Sequence, residues 1–105
     1  MGKKTAVLKE VLEFKENLSR DIPVDKMIFF GSRATGNPHK WSDVDLIIVS
    51  RKFRGKKFRY RPLGFYRHWS SKHAVDFLCY TPEEFERLRR SVTIVREAEK
   101  EGIEI

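Results

Sequence analysis

Apolar residues recur at helical spacing near the start of the chain. Val7, Val11, Phe14 and Leu18 fall on one side of a helix, and Thr5 can cap a helix that runs to about Ser19. This pattern predicts an amphipathic first helix that packs through one stripe.

Three short runs of apolar residues follow, and each is typical of a buried strand. They are Lys26–Phe30, Val44–Val49 and Ala74–Tyr80, of which the second is β-branched and apolar at consecutive positions. Residues 103–105 can add an edge strand. The pattern predicts a small sheet with helices packed on it.

Other segments carry helix signals. Ser32 can cap a short helical turn, and Pro62 fits the first position of a helix that carries Phe65, Tyr66 and Trp69. Two further helices are predicted after Thr81-Pro82-Glu83-Glu84 and over Thr93–Glu101, the latter closed by Gly102. The order of elements predicts an α/β or α+β fold with a mixed sheet of three to four strands.

Length and composition restrict the class of protein. The 105 residues predict one domain over residues 1–105, with 40% hydrophobic and 35% charged residues. The single Cys79 excludes an intrachain disulfide and a multi-cysteine zinc site. Because no segment is long and apolar enough to span a membrane and the chain starts with no signal peptide, we expect a cytoplasmic protein that does not bind membranes.

The positive charge is concentrated in one segment. Of the net charge of +7, residues Arg51–Arg67, here called the basic segment, hold eight basic and no acidic residues. Its interleaved aromatic residues allow RNA binding by charge and stacking, but an acidic protein partner or a merely solvated surface remains equally open. We expect Phe58, Phe65 and Trp69 to pack on the sheet.

Three aspartates are the main candidates for chemistry. Asp43 and Asp45 open the second strand two residues apart, so their side chains share a face. Two carboxylates on one face repel each other unless a cation lies between them, and oxygen ligands in this number suit Mg²⁺. Asp76 is predicted within a third, apolar strand, where a charge is costly unless it shares the metal. Alone, each motif also fits a solvated turn or an ion pair.

Gly31-Ser32 follows the first strand directly. A glycine there lets backbone N–H groups approach an anion, and the Ser32 hydroxyl can contact a phosphate, although a turn with a capping serine is the simpler interpretation. A phosphate cradle, a carboxylate pair and a third carboxylate on successive strands together match the parts of a two-metal phosphoryl-transfer site.

Gly31-Ser32, ten intervening residues and Asp43-x-Asp45 resemble the signature of the DNA polymerase beta-like nucleotidyltransferase superfamily, in particular its archaeal minimal nucleotidyltransferases. Gly36 and Ser42 fit the same pattern. The resemblance covers nearly the whole chain, including Val75-Asp76-Phe77 and the segment that follows. It implies the polymerase beta-like nucleotidyltransferase fold.

The resemblance also implies a mechanism. In that mechanism Asp43 and Asp45 would hold two Mg²⁺ ions. Asp76 would ligate the catalytic metal and orient or deprotonate the attacking hydroxyl. Gly31, Ser32, Arg33 and Ser42 bind the nucleotide, with Arg33 as a triphosphate clamp unless it forms only a surface ion pair. The donor is ATP or another nucleoside triphosphate, and pyrophosphate leaves.

The acceptor follows from the resemblance alone. Minimal members are often paired with a small helical HEPN-domain protein, as antitoxins that modify a hydroxyl on that partner. The chain lacks the second domain with which larger members bind base and acceptor, so a partner chain, self-association or the basic segment must supply those contacts. Two alternatives stay open: a binding module that masks its partner without chemistry, and an RNA or tRNA nucleotidyltransferase.

Overall fold

The computed structural model describes residues 3–35 and 43–105. Its helices are α1 (Lys3–Ser19), α2 (Ser32–Thr35), α3 (Pro82–Leu88) and α4 (Ile94–Glu101), and its strands are β1 (Lys26–Phe30), β2 (Val44–Val49), β3 (Val75–Tyr80) and β4 (Ile103–Glu104). Three short 3₁₀ turns, Arg51–Phe53, Phe58–Tyr60 and Phe65–His68, lie between β2 and β3.

The four strands form one mixed sheet in the order β3-β2-β1-β4. Strand β1 is antiparallel to both β2 and β4, whereas β2 and β3 are parallel. A parallel pair needs a crossover connection, and residues 50–74 provide it. The predicted mixed sheet with packed helices and the terminal edge strand are confirmed.

Helix α1 covers one face of the sheet. The predicted stripe of Val7, Val11, Phe14 and Leu18 is buried to 1% exposure or less and packs in one core cluster with Leu46 and other sheet residues. Burial of that stripe, rather than intrinsic helix propensity, is what stabilises a helix of this length.

Helices α3 and α4 cover the other face. Ile28, Ile47 and Val49 of the sheet form a second cluster with Phe85 of α3 and Val95 of α4. Because side chains alternate along a strand, Asp45 lies on the same face as Ile47 and Val49, at the end of β2 where that cluster stops.

The predicted start of α3 and the predicted start and end of α4 are confirmed. The Thr81 hydroxyl accepts a hydrogen bond from the Glu84 backbone N–H, and the Glu84 carboxylate accepts one from the Thr81 N–H, which forms a capping box. Thr93 caps α4, and Gly102 follows its last turn.

Two predicted helix starts are wrong. Helix α1 already includes Lys3, so Thr5 lies inside the helix and does not cap it. No helix begins at Pro62: Gly64 adopts a left-handed conformation with φ 86°, and only a 3₁₀ turn over Phe65–His68 follows. The third strand begins at Val75, one residue later than predicted.

Among residues 3–35 and 43–105, no helix is sufficiently long and apolar to cross a bilayer.

Candidate active site

Asp45 and Asp76 lie side by side on the parallel strands β2 and β3. The strand register pairs Asp45 with Asp76 on one side and with Phe30 of β1 on the other. Paired residues of neighbouring strands point to the same face. The two carboxylates therefore belong to one surface, on the face that carries α3 and α4.

Asp43 extends this group by one position. It immediately precedes β2 and is half-buried, like Asp45. Burial is the largest cause that raises the pKa of Asp45 to about 6, and the negative charges of Asp76 and then Asp43 raise it further. The charges of the two other predicted carboxylates thus reach Asp45.

The burial expected for Asp76 is wrong, because its side chain is exposed. In the described part of the chain, strand β3 is an edge of the sheet, and Asp76 lies on the face that carries α3 and α4 but outside the cluster that these helices cover. Burial of a charge therefore favours a bound metal at Asp45 and not at Asp76.

The glycine of the Gly31-Ser32 turn packs directly against Asp45. Gly31 has φ +88°, and a Cβ atom built on it would lie 2.3 Å from the Asp45 Oδ2 atom. A side chain at position 31 would be strained by the backbone and would also collide with the carboxylate. Only glycine brings this turn so close to Asp45.

A cleft joins this turn to helix α4. Phe30, Gly31, Ser32 and Asp45 form its sheet side, and Ile94, Glu97, Ala98 and Glu101 form its helix side. Ile94 is 54% exposed. The α4 wall was not predicted from the sequence, although Ile94, Ala98 and Glu101 recur at the spacing of one helix face.

Of the two remaining predicted nucleotide-binding residues, Arg33 lies within the described part of the chain and Ser42 does not. Arg33 is buried, with 8% exposure, and so does not lie at the surface, where the alternative of a surface ion pair placed it. Within the described part of the chain, Arg33 is not among the residues that line the cleft, and its role as a triphosphate clamp stays a prediction. Ser42, with Gly36, lies outside the described residues.

The donor atoms suit a divalent cation, but they are not gathered into a finished site. Within residues 3–35 and 43–105, no three His, Cys, Asp or Glu side chains converge as a metal-binding group. Carboxylate oxygens are nevertheless the ligands that Mg²⁺ takes, and mutual repulsion keeps like charges apart until a cation lies between them. Burial, and then repulsion by the neighbouring aspartates, raises the pKa of Asp45.

The basic segment is partly neutralised by acids from elsewhere in the fold. Four of its arginines form ion pairs: Arg51 with Asp25, Arg54 with Glu83, Arg61 with Glu84 and Arg67 with Asp21. Its positive charge is thus much smaller than its composition indicates.

The expected packing of the aromatic residues of this segment and its neighbour is confirmed for Phe65, which is buried, and for Trp69, which packs against the first cluster. Phe58 is confirmed only in part: its ring lies 5.5 Å from that of Tyr80 on strand β3, with a tilt of 40°, but it is 48% exposed and does not belong to the core.

The chain resembles known proteins in both sequence and structure. A family model described as a nucleotidyltransferase domain matches residues 11–105. A crystal structure at 1.40 Å resolution of a Sulfolobus solfataricus protein, provisionally described as a nucleotidyltransferase, superposes with a TM-score of 0.55 at 23% sequence identity, covering 83% of this chain and 82% of that one. That structural likeness shows the fold. No match was found among curated protein sequences.

Proposed function

Because this chain belongs to the nucleotidyltransferase domain family, we propose that it transfers a nucleoside monophosphate, AMP from ATP, to a hydroxyl group at the cleft beside Asp45. The single observation that carries the proposal is the register of Asp45 beside Asp76, with a glycine turn in contact with Asp45. Carboxylates and a phosphate-binding turn are the parts that nucleotidyl transfer needs.

Asp43, Asp45 and Asp76 are the residues that would hold two Mg²⁺ ions. When bound, the ions stabilise charge on the attacking and leaving oxygens of an in-line displacement at phosphorus. Asp45, half-buried between Phe30 and Asp76, holds its position through the strand register and is the central ligand.

The exposure of Asp76 supports a second role for it. Its carboxylate faces solvent at the sheet edge, where an acceptor hydroxyl can reach it without entering the core. Asp76 orients that hydroxyl and accepts its proton as the hydroxyl oxygen bonds to the α-phosphorus and the bond to pyrophosphate breaks.

The turn after β1 supports a triphosphate-binding role. Gly31 is left-handed and packs against the Asp45 carboxylate, and Ser32 lines the same cleft, so a triphosphate bound at this turn would lie beside the carboxylates. Arg33 and Ser42 complete the nucleotide site in this proposal, with Arg33 pairing the triphosphate.

We propose a protein as the acceptor, and a small helical HEPN-domain protein as the partner, with this chain as the antitoxin of a cytoplasmic pair. Support comes from Ile94 in the cleft and the neighbouring Val92, which is 92% exposed, since exposed apolar residues at a reaction site favour a protein surface over RNA. The internal ion pairs of the basic segment weaken the case for RNA as acceptor.

The test is the incubation of the purified chain with ATP, Mg²⁺ and the product of the neighbouring gene as the candidate partner, followed by intact-mass measurement of both proteins. We expect the partner to gain one adenylyl group, and this gain to be lost with Asp45→Asn. The matched control is Asp25→Asn, which removes an aspartate paired with Arg51 near the other end of β2.

The second candidate is a module that masks its partner without chemistry. If the partner stays neutralised with the double variant Asp43→Asn/Asp45→Asn, and no protein gains mass, masking is the function. A gain of mass on this chain itself would indicate self-modification within a homo-oligomer.

A further inference from the structure

A second cavity lies far from Asp43, Asp45 and Asp76, on the α1 side of the sheet. It has a volume of about 280 Å³ and is lined by Leu18, Asp21, Ile22, Lys52, Phe53, Lys56, Arg61, Leu63, Gly64, Phe65, Arg67 and His68. Its residues from the basic segment, beginning with Lys52 and Phe53, follow the end of β2 at Val49, whereas Asp45 lies near the beginning of that strand. At about 3.3 Å per residue, the length of the strand separates the two sites by roughly 15 Å.

Uncompensated positive charge gathers at this cavity. In the described part of the chain, the ion pairs leave four cations of the basic segment without a carboxylate partner, namely Lys52, Lys56, Lys57 and Arg59. Lys52 and Lys56 both line the cavity, whereas Lys57 and Arg59 do not. Arg59 instead lies over the Tyr60 ring.

Asp21, the acidic residue of the cavity, already pairs with Arg67 and His68. Asp21 accepts hydrogen bonds from Arg67 at 3.0 Å and pairs with the His68 ring at 2.6 Å. These contacts, with Arg67 contributing most, keep the pKa of Asp21 below its usual value, so it stays ionised and bound to them. Asp21 therefore does not neutralise the two lysines.

The backbone under the two lysines is held in place. The Lys56 carbonyl accepts a hydrogen bond of 2.9 Å from Arg61, which is itself buried and paired with Glu84. The Lys52 backbone N–H donates to the Ser50 hydroxyl at 3.1 Å. These contacts fix the backbone at both lysines, so that only the two side chains need to be ordered when an anion binds.

The floor of the cavity is apolar. Phe53 and Phe65 are 2% and 7% exposed, and their ring centroids lie 6.1 Å apart. Leu63, 71% exposed, stands at the rim. A ligand that fits both the lysines and this floor combines a phosphate with an apolar or aromatic body, as a nucleotide does.

We propose that the cavity between α1 and the basic segment is a second anion site, in which Lys52 and Lys56 bind the phosphate of a nucleotide whose sugar or base packs against the exposed Leu63, above the buried Phe53 and Phe65. The site is independent of the cleft at Asp45 and needs no metal. The phosphate belongs either to a free nucleotide or to a single-stranded RNA.

The test measures binding in EDTA, so that cation-dependent binding at the aspartates does not contribute. AMP and a single-stranded RNA of ten nucleotides are titrated separately, and the amide resonances of Lys56 and Gly64 are followed by NMR. We expect both resonances to shift and to saturate, and binding to persist in Asp45→Asn.

Two double variants with the same loss of charge separate a site from general attraction. Lys52→Ala/Lys56→Ala is expected to weaken binding by about tenfold or more, since hydrogen bonds to charged groups contribute strongly. Lys57→Ala/Arg59→Ala is expected to change it by less than about twofold at physiological salt, where long-range attraction is screened. All four side chains are exposed, so neither variant should lower the unfolding temperature.

The outcomes decide the proposal. Saturation by AMP assigns the site to free nucleotides, and saturation by RNA without AMP binding assigns it to an RNA phosphate. Equal weakening by the two double variants, or no shift of the Gly64 amide with either probe, would overturn the proposal.

Discussion

Gly31 and Asp45 are in such close contact that a methyl group on Gly31 would lie 2.3 Å from the Asp45 carboxylate oxygen. One residue belongs to the turn after β1 and the other to the central strand β2. This contact joins the proposed phosphate-binding turn to the proposed metal-binding carboxylate, so a change at either residue affects both parts of the site.

We therefore expect Gly31→Ala to abolish nucleotidyl transfer and to destabilise the fold. Gly55→Ala is a matched control, since Gly55 also has a positive φ of +78° but no atom within 4 Å of the added methyl group. Both variants should lose about 1 kcal/mol from backbone strain, and only Gly31→Ala should lose more than that together with activity. Urea unfolding and the mass assay measure the two effects, and equal losses in both variants would contradict the contact.

Asp45 should destabilise the metal-free protein at neutral pH. Its pKa is about 6 in the folded chain against 3.8 for an ordinary aspartate, so the folded state binds this proton more tightly than the unfolded chain does. Stability is therefore lost as the pH rises from about 4 through 6.

Asp45→Asn removes that loss. In EDTA at pH 7.5 we expect the variant to be more stable than the parent by about 1–2 kcal/mol, after allowance for the solvent that screens a half-buried group. At pH 4 the difference should vanish. Chemical unfolding at both pH values checks this, and a variant that is less stable at pH 7.5 would contradict the cost of burying the Asp45 charge beside Asp76 and Asp43.

Arg61 should contribute far more to stability than its neighbour Arg54. The Arg61 side chain is 7% exposed and pairs with Glu84 at 2.5 Å, while Arg54 pairs with Glu83 but is 54% exposed. Removing one partner of a buried pair costs about 3–5 kcal/mol and of an exposed pair about 0–1 kcal/mol.

Arg61→Met and Arg54→Met test this difference by urea unfolding. The first also leaves the Cys79 carbonyl without its hydrogen bond from Arg61. A loss of similar size in both variants would show that burial of Arg61 is not what matters.

The fold was largely predictable from sequence because its signals are local. The stripe on α1, the apolar runs of β1 and β2 and the capping box at Thr81 depend on residues close together in the chain. The connection between β2 and β3 was harder to predict. Its short 3₁₀ turns follow from tertiary contacts such as the ion pairs of Arg61 and Arg67 with distant acids, which leave no periodic pattern.

The candidate site was predictable in its residue types but not in its surroundings. The spacing placed Asp43 and Asp45 on one face, but only the register of two strands joined by a long crossover puts Asp76 beside Asp45. The exposure of Asp76 could not be inferred from its apolar neighbours, because they alternate between two faces of an edge strand. The wall formed by Glu97 and Glu101 depends on how α4 packs.

The most direct test of the central claim is paramagnetic broadening of the amide resonances by Mn²⁺ in place of Mg²⁺. We expect substoichiometric Mn²⁺ to broaden the amides of Gly31, Asp45 and Asp76 first, and Asp45→Asn to abolish this broadening while Asp25→Asn does not. Broadening that is centred elsewhere on the chain, or that is unchanged in Asp45→Asn, would contradict the claim that these aspartates form one cation site.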